Sequence, residues 1–221
     1  MPTATARRPA TRRPGPEPTR DPQRTRDRIL SAALDEFAAE GFAGARVARI
    51  ARRARINKRM LYHYFGNKED LFREILDRKL RERAGWVTEA PADLGASLAA
   101  WFQMACEDQD FIRLLQWEAL RDEEGPILRE PERRASLVHA IGDLRERQRA
   151  GLLPDSLDAG HLMLAILGLV AYPLAFPQVT RLVTGRTPSD PVFRRQRVAF
   201  LRAFSDALAR GPAGVAGRAH A

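Results

Sequence analysis

The stretch INKRMLYHYFGNKEDLF, from Ile56 to Phe72, is the part of the sequence that decides the fold. It combines four aromatic rings and a histidine with three cationic side chains. On a helix its central residues divide into two faces. The apolar face consists of Leu61, Tyr64 and Phe65, and the polar face consists of Lys58, Arg59, Tyr62 and His63. We therefore expect the first face to pack against the protein and the second to contact a partner.

The charge of the whole chain points to a polyanionic partner. The 221 residues carry a formal net charge of +9 and have a pI of about 10.8, which favours nucleic acid or an acidic membrane surface. Only three of the 37 cationic side chains are lysines, and such an arginine bias can also arise from coding composition. The placement of the charges, rather than their number, must identify the partner.

Three features favour a cytoplasmic protein without a membrane span. Cys106 is the only cysteine, so neither an intramolecular disulfide nor a CxxC site can form. No apolar segment typical of a secretory signal follows Met1. The longest uncharged run, Leu162 to Val179, contains two prolines and only just reaches the roughly 17 to 25 residues of a membrane-spanning helix. We expect a buried helix there.

Apolar side chains recur at helical spacing along almost the whole chain, and no segment shows the alternation of a strand. The predicted fold is all-α. The first helix begins at the N-cap Asp21 and ends at Gly41. Asn67 caps the fourth helix, and Asp70 completes an approximate capping box. The other predicted helices cover residues 47–54, 58–65, 94–108, 110–122, 131–149, 156–176 and 190–209.

The second and third helices are separated by only three residues, Arg55 to Asn57. Two short helices joined by such a turn form a helix-turn-helix, whose second helix enters the major groove of DNA by its first residues. Arg59 can pair with guanine, and Met60 can contact a thymine methyl group. Lys58 and Tyr62 can reach phosphates. The alternative interpretation is a solvated basic helix face.

Lys68 occupies a position where a cation is unfavourable in an isolated helix. At the first position of the fourth helix it opposes the helix dipole by roughly 0.3 to 1 kcal/mol, whereas Glu69 and Asp70 agree with the dipole. A DNA phosphate held by Lys68 and the free N–H groups of the helix end would remove this cost. The alternative is a lysine that is only solvated.

Eleven residues between Thr25 and Leu76 form a highly specific set: Ala33, Phe37, Gly41, Ile50, Ala51, Leu61, Tyr62, Phe65, Lys68, Glu69 and Leu71. As a set they resemble the amino-terminal DNA-binding domain of TetR-type transcriptional regulators. The resemblance implies a homodimer on a palindromic double-stranded DNA operator, with a carboxy-terminal helical domain that binds a small molecule and dimerises. The predicted DNA-binding residues are Arg46, Asn57, Lys58, Arg59, Met60, Tyr62, His63 and Lys68.

Two residues depart from the pattern of the family. Arg46 stands where a threonine usually caps the second helix, and Arg55 stands where the turn usually has glycine. Losing the cap costs about 1 kcal/mol, and a non-glycine residue in a left-handed conformation costs about 1 kcal/mol more. Both arginines could offset these costs by contacting phosphates. Alternatively, both are only solvated and the turn is slightly re-formed.

The predicted organisation has four parts. Residues 1–20 form a disordered basic arm, residues 21–67 the helix-turn-helix domain, residues 68–210 the helical effector-binding and dimerisation domain, and residues 211–221 a flexible tail. The predicted helices 156–176 and 190–209 have apolar faces that two subunits could combine into a four-helix interface. The alternative is that both faces belong to the internal core.

Large apolar groups in the carboxy-terminal half predict a pocket for a small, mainly apolar effector. The predicted lining residues are Trp101, Met104, Phe111, Leu114, Trp117, Glu118, His161, Leu164 and Gly168. The arginines of this half mostly fall on polar helix faces, which disfavours a highly charged effector. For each of these residues singly, a place in the core or on the surface is the alternative.

The predicted function is a ligand-responsive transcriptional regulator, with repression as the expected mode. An enzyme is not expected, because the sequence has no GxSxG, GxGxxG, P-loop or HExxH motif. No cofactor is expected, and no metal site, because His139 and His161 lack the HxxxH spacing and a neighbouring cysteine. The remaining alternative is a helix-turn-helix architectural or division-control protein without an effector.

Overall fold

The computed structural model describes residues 21–83, 93–121 and 126–210. Within these residues the chain forms ten α-helices and no strand, which confirms the predicted all-α fold. The helices are α1 (Pro22–Gly44), α2 (Val47–Arg53), α3 (Lys58–Phe65), α4 (Lys68–Glu82), α5 (Leu94–Glu107), α6 (Gln109–Arg121), α7 (Glu130–Arg149), α8 (Ala159–Ala175), α9 (Pro177–Thr184) and α10 (Pro191–Arg210). The predicted basic arm and carboxy-terminal tail lie outside the described residues.

Helices α1 to α4 and part of α6 enclose the first hydrophobic core. One of its largest fully buried side chains comes from each of the first four helices: Phe37, Ile50, Leu61 and Phe72. Burying a side chain of this size stabilises the fold by about 1.5 to 3 kcal/mol. Phe111 and Leu114 of α6 enter the same core. Through α1 and α4, which share this core, α6 is joined to the helix-turn-helix.

The first hydrophobic core extends across the domain boundary predicted between residues 67 and 68. Helix α4 begins at Lys68, yet its buried side chains lie in the first core with those of α1. Helix α6 likewise contributes Phe111 and Leu114 to that core. Because α4 packs on α1 and α3, and α6 packs on α1 and α4, a displacement of either helix also acts on the helix-turn-helix.

Helices α5, α7, α8 and α10 enclose the second core. Helix α10 lies along α5, where Phe102 meets Phe193 edge-on with ring centroids 6.3 Å apart. Gly95 permits the close approach of the two helices, because a methyl group on it would lie 3.2 Å from Cα of Arg202. The thiol of Cys106 is buried here, and the loss of solvation raises its pKa.

The predicted helix 156–176 begins later than expected, and a further helix follows it. Asp158 caps α8 by accepting a hydrogen bond from the N–H of His161. Phe176 leaves helical geometry, and Pro177 starts α9 in a direction that differs from α8 by 89°. No single helix among the described residues is long and apolar enough to cross a membrane. In the part of the chain that the structure describes, one bent pair, α8 with α9, reaches the necessary length and composition together.

Candidate DNA-binding surface and effector domain

Helix α3 is held with its apolar face buried and its amino terminus exposed. The side-chain oxygen of Asn57 accepts a hydrogen bond from the N–H of Met60 at 2.8 Å, which caps the helix. Leu61 and Phe65 are buried in the first core, and Tyr64 packs against that core while half-buried. The two faces expected from the sequence are present in the structure.

The polar face of α3 is available to a partner. Within the described part of the chain, the side chains of Lys58, Arg59 and Tyr62 make no hydrogen bond or ion pair. His63 is exposed, and its ring lies edge-on to that of Tyr64, with ring centroids 5.9 Å apart. Cationic and hydroxyl donors that no internal group occupies can contact base edges and phosphates of DNA.

Two of the predicted contact residues have part of their surface committed to the fold. Met60 is half-buried, and Oδ1 of Asn57 already caps α3. Asn57 can therefore offer its Nδ2 group to DNA, whereas Arg59 keeps its whole guanidinium group.

A buried carboxylate anchors the start of α2, although it does not replace the missing side-chain cap. Arg46 stands at the N-cap without a side-chain hydrogen bond, and its side chain is exposed. Its backbone N–H donates to Oε1 of Glu36 on α1 at 2.9 Å. Sequence reasoning missed Glu36, although a carboxylate on the buried stripe between Ala33 and Phe37 was a usable signal.

Glu36 also fixes the position of α2 through an ion pair. Nε of Arg49 lies 2.8 Å from Oε1 of Glu36, and Nη1 of Arg49 lies 3.0 Å from Oε1 of Glu40. The Nε–H is not aligned for a hydrogen bond, so the contact with Glu36 is an ion pair only. Because Glu36 is 2% exposed, these contacts from α2 take the place of solvent around its carboxylate.

The turn between α2 and α3 keeps a left-handed residue despite the absence of glycine. Arg55 has a φ of 55°, and its side chain is exposed. This conformation costs a non-glycine residue about 1 kcal/mol. The turn is therefore not re-formed around the arginine.

Lys68 lies at the start of α4, beside the reciprocal pair formed by Asn67 and Asp70. Nζ of Lys68 is 4.8 Å from the ring centroid of Phe42 and 3.4 Å from the carbonyl oxygen of Ala43. These contacts hold the ammonium group beside the end of α1, where the side chain is half-buried. A phosphate contact by Lys68 stays a prediction.

The nine residues predicted to line an effector pocket do not come together in one place. Trp101 and Met104 border the second core, but Phe111 and Leu114 are buried in the first. Three others lie on the exposed side of α8: His161, Leu164 and Gly168. Helical periodicity predicts that a residue faces inward or packs on a neighbour, but it does not tell which core the residue enters.

The last two of the nine, Trp117 and Glu118, join α6 to its neighbours. The ring of Trp117 packs on Gly41 so closely that a methyl group on the glycine would lie 2.8 Å from it. Gly41 has a φ of 69°, and the helix resumes beyond it as far as Gly44, later than the predicted end of α1. Glu118 accepts a hydrogen bond from Nη1 of Arg133 on α7 at 2.9 Å.

Ion pairs connect α4 to the second half of the chain. Asp108, at the break between α5 and α6, accepts from Nζ of Lys79 at 2.8 Å and from Nη2 of Arg83 at 2.7 Å. Burial alone would raise the pKa of Asp108, but the two hydrogen bonds and the two positive charges together lower it. Asp77 of α4 lies 3.1 Å from Nη1 of Arg129 at the start of α7.

Both halves of the chain match models of one protein family. Residues 29–75 match the bacterial regulatory proteins of the tetR family, and residues 93–203 match the tetracyclin repressor-like carboxy-terminal domain. The chain belongs to the TetR family. The resemblance found in the sequence of the helix-turn-helix is thereby confirmed, and it extends over the second core.

Relatives of this TetR-family protein are transcriptional regulators. The HTH-type transcriptional repressor SCO4008 of Streptomyces coelicolor is 32% identical over 166 residues, which cover 75% of this chain and 86% of that protein. The HTH-type transcriptional repressor NicS of Pseudomonas putida is 34% identical over 161 residues, which cover 66% and 74% of the two chains. The crystal structure of SCO4942 from Streptomyces coelicolor matches with a TM-score of 0.70 at 28% identity, covering 85% of this chain and 99% of that one.

The family match decides between the two functions considered from the sequence. This TetR-family protein is a ligand-responsive, DNA-binding transcriptional regulator. An architectural or division-control protein is not favoured, because the carboxy-terminal half as well as the helix-turn-helix matches a regulator domain.

Proposed function

We propose that this protein is a repressor that binds a palindromic DNA operator as a dimer and leaves it when a small, mainly apolar effector binds. The observation that carries this function is the polar face of α3. Lys58, Arg59 and Tyr62 have no internal partner among the described residues, while Leu61 and Phe65 fix the opposite face in the first core. Held in this way, α3 can enter the major groove by its first residues.

The carboxy-terminal helices supply a surface for dimerisation. Leu164, Gly168 and Tyr172 follow one another at four-residue spacing on the exposed side of α8, and Leu164 is 65% exposed. A methyl group on Gly168 would meet no atom within 4 Å, so another helix can approach closely there. Phe200 extends this surface onto α10, whose Arg197 donates to a carbonyl oxygen of α8. Two copies would bury the surface in a four-helix interface.

Dimerisation determines the symmetry of the operator. Two copies related by a twofold axis place their α3 helices in half-sites of opposite orientation, so the operator is an inverted repeat. We infer repression because SCO4008 and NicS are both repressors. The site of action is the cytoplasm, where such an operator is accessible.

Half-buried apolar side chains around the second core support an effector site there. Met104, Leu137, Ile141 and Leu167 pack against that core from α5, α7 and α8. Apolar walls of this kind suit a neutral, mainly apolar molecule. Of the lining residues expected from the sequence, Met104 and its neighbour Trp101 belong to this proposed site.

Effector binding would reach the DNA-binding domain through α4 and α6. Lys79 and Arg83 tie α4 to Asp108, and Trp117 ties α6 to Gly41 of α1. A displacement of α6 would therefore move α1 and α4 and change the distance between the two α3 helices of the dimer. An effector that binds this altered state more tightly than the DNA-bound state lowers operator affinity.

Selection of DNA from a random pool by the purified full-length protein tests the proposed function. We expect enrichment of an inverted repeat whose half-sites are about one helical turn apart, or a multiple of it. The protein should bind that DNA as a dimer. A protein with both Lys58→Ala and Arg59→Ala is the control and should enrich no sequence. A selected sequence without twofold symmetry, or no selected sequence at all, would contradict the proposed function.

A further inference from the structure

A groove beside the helix-turn-helix is lined mainly by basic and polar side chains. It lies between the amino-terminal turns of α1 and the turn that joins α2 to α3, and its volume is about 430 Å³. The lining residues are Thr25, Arg28, Arg55, Ile56, Asn57 and Met60. The lining thus contains two arginines and no carboxylate.

The polar groups of this groove are largely unused by the protein. Arg28 makes a long hydrogen bond of 3.4 Å, from its Nη2 to Oγ1 of Thr25. Among the described residues, the side chain of Arg55 makes no hydrogen bond or ion pair. Asn57 uses Oδ1 to cap α3 and keeps Nδ2 for another acceptor. Two guanidinium groups that border the same groove repel each other. An anion between them would attract both and so offset this repulsion.

The backbone of Arg55 supports a role for its side chain outside the fold. Arg55 keeps a left-handed φ of 55°, which glycine would adopt without strain. A strained residue whose side chain has no hydrogen-bond or ion-pair partner among the described residues is a reason to look for a function of that side chain. The groove that Arg55 shares with Arg28 is where such a function would lie.

We propose that Arg28 and Arg55 together bind one phosphate of the operator backbone in each half-site. Asn57 and Met60 belong both to the groove and to the first turn of α3. When α3 enters the major groove, a phosphate at the edge of that groove comes next to these residues. This site rests on the proposed DNA-binding function and adds a contact that sets the register of α3 on the DNA.

The amino-terminal arm is a poorer occupant of the groove than a phosphate. Residues 1–20 carry five arginines and a single carboxylate, Glu17. The positive charge of the arm is repelled by Arg28 and Arg55, whereas a phosphate accepts hydrogen bonds from both guanidinium groups.

Replacing Arg55 by glycine removes the guanidinium group without straining the turn. Because glycine favours this conformation, Arg55→Gly should unfold at the same temperature as the wild-type protein or higher. One phosphate contact adds about −0.9 to the slope of log affinity against log salt concentration. This increment corresponds to an additional change in affinity of about eightfold between 1 M and 0.1 M salt. We expect Arg55→Gly to lose this increment with unchanged base preference, and Arg28→Gln to do the same.

Ethylation of single phosphates in the selected operator locates the contact. One ethylated phosphate in each half-site should block the wild-type protein and have no effect on Arg55→Gly. Arg53→Ala is the matched control, because it removes the same charge close by but does not line the groove. It should leave the ethylation pattern unchanged.

Three results would overturn the phosphate site. The first is a wild-type salt slope and ethylation pattern in Arg55→Gly, and the second is an equal change in Arg53→Ala. The third is an effect of Arg55→Gly that disappears when residues 1–18 are deleted, which would show that the arm occupies the groove. Failure of the wild-type protein to select any DNA is a distinct result and would overturn the proposed function together with this site.

Discussion

At the scale of single residues, Arg59 and Lys68 are two basic side chains in different surroundings. Arg59 projects from α3 without an internal partner among the described residues, whereas Phe42 and Ala43 hold the ammonium group of Lys68. A free guanidinium group can form two hydrogen bonds with one base and so distinguish it from others. An ammonium group held in one place can bind a phosphate but does not distinguish bases. Specificity and affinity should therefore depend on different residues.

We expect Arg59→Ala to weaken binding to the selected operator by about 1 to 3 kcal/mol and to relax the preference at one base pair per half-site. Lys68→Ala should weaken binding to selected and random DNA alike and reduce the salt slope. Fluorescence anisotropy titrations with both DNAs at several salt concentrations measure the two effects. The assignment is wrong if Lys68→Ala alters base preference while Arg59→Ala does not.

Glu36 is the residue on which the position of α2 depends most. Glu36→Gln keeps the shape of the side chain but removes the buried charge that holds Arg49, so the free energy of unfolding should fall by about 1 to 3 kcal/mol. Glu40→Gln removes the more exposed partner of the same arginine and should cost less than about 1 kcal/mol. Urea unfolding followed by circular dichroism measures both losses. Equal losses of unfolding free energy in the two variants would show that Glu36 does not hold α2 more strongly than Glu40 does.

At the scale of helices, α1 and α6 meet where the ring of Trp117 covers Gly41. Gly41→Ala should destabilise the protein for two reasons, since a φ of 69° strains other residues and the added methyl group would lie 2.8 Å from the ring. In the Trp117→Ala protein the second reason is gone, and Gly41→Ala should cost only the backbone strain of about 1 to 3 kcal/mol. A double-mutant cycle of unfolding free energies measures this coupling. Additive losses would show that the contact is unimportant.

The break between α5 and α6 is tied to α4 by Asp108. Asp108→Asn should lower the free energy of unfolding by about 1 to 3 kcal/mol, because Lys79 and Arg83 lose the carboxylate they share. Folding lowers the pKa of Asp108, so its contribution is complete above the unfolded pKa of about 3.9. The contribution is lost as the pH falls through the lower pKa of the folded state.

The difference in unfolding free energy between the wild-type protein and Asp108→Asn should therefore stay constant from about pH 7 to pH 5 and shrink below about pH 4. Asp110→Asn is the control, because its carboxylate is more exposed and lies 3.5 Å from Arg113 in the next turn of the same helix. Its charge lies in the first turn of α6, so its loss should change the stability by less than about 1 kcal/mol at any pH. A constant difference for Asp108→Asn down to pH 2 would contradict the role of its charge.

The helices could be predicted from the sequence where their end signals are local. Asp21 and Asn67 each accept a hydrogen bond from an N–H group two or three residues later, and α1 and α4 begin next to them as expected. The end predicted at residue 176 is close to the observed end of α8, but the helix α9 was missed because it is only eight residues long. Pro177, a residue type that is favoured in the first turn of a helix, was the available signal.

The DNA-binding face was easier to predict from the sequence than the effector pocket, because it depends on local spacing alone. The exposed face of α3 follows from the spacing of a few consecutive residues. By contrast, Phe111 and Leu114 have the hydrophobicity expected of an effector pocket but are buried in the first core. Which core a side chain enters depends on contacts between residues far apart in the sequence, and periodicity carries no information about them.

At the scale of the whole molecule, the exposed apolar side of α8 should hold two copies together. Leu164→Arg places a charge in the proposed four-helix interface, and we expect it to give monomers at micromolar concentration with unchanged helix content. Leu182→Arg is the control, because Leu182 on α9 is even more exposed, at 85%, but lies outside that interface. Sedimentation velocity distinguishes the two outcomes. A dimer that survives Leu164→Arg would place the interface on another surface.

The burial of Cys106 has a consequence for the study of motion in this protein. The thiolate is the form that reacts with electrophiles, and a buried thiol with a raised pKa supplies little of it. Chemical labelling of Cys106 therefore requires a transient opening of α5, and the labelling rate reports how often such openings occur. Since the chain has only one cysteine, every labelled molecule reports the same event. A molecule bound in the second core would lower the labelling rate of Cys106. The frequency of local opening can therefore be measured in the natural protein without introducing any probe.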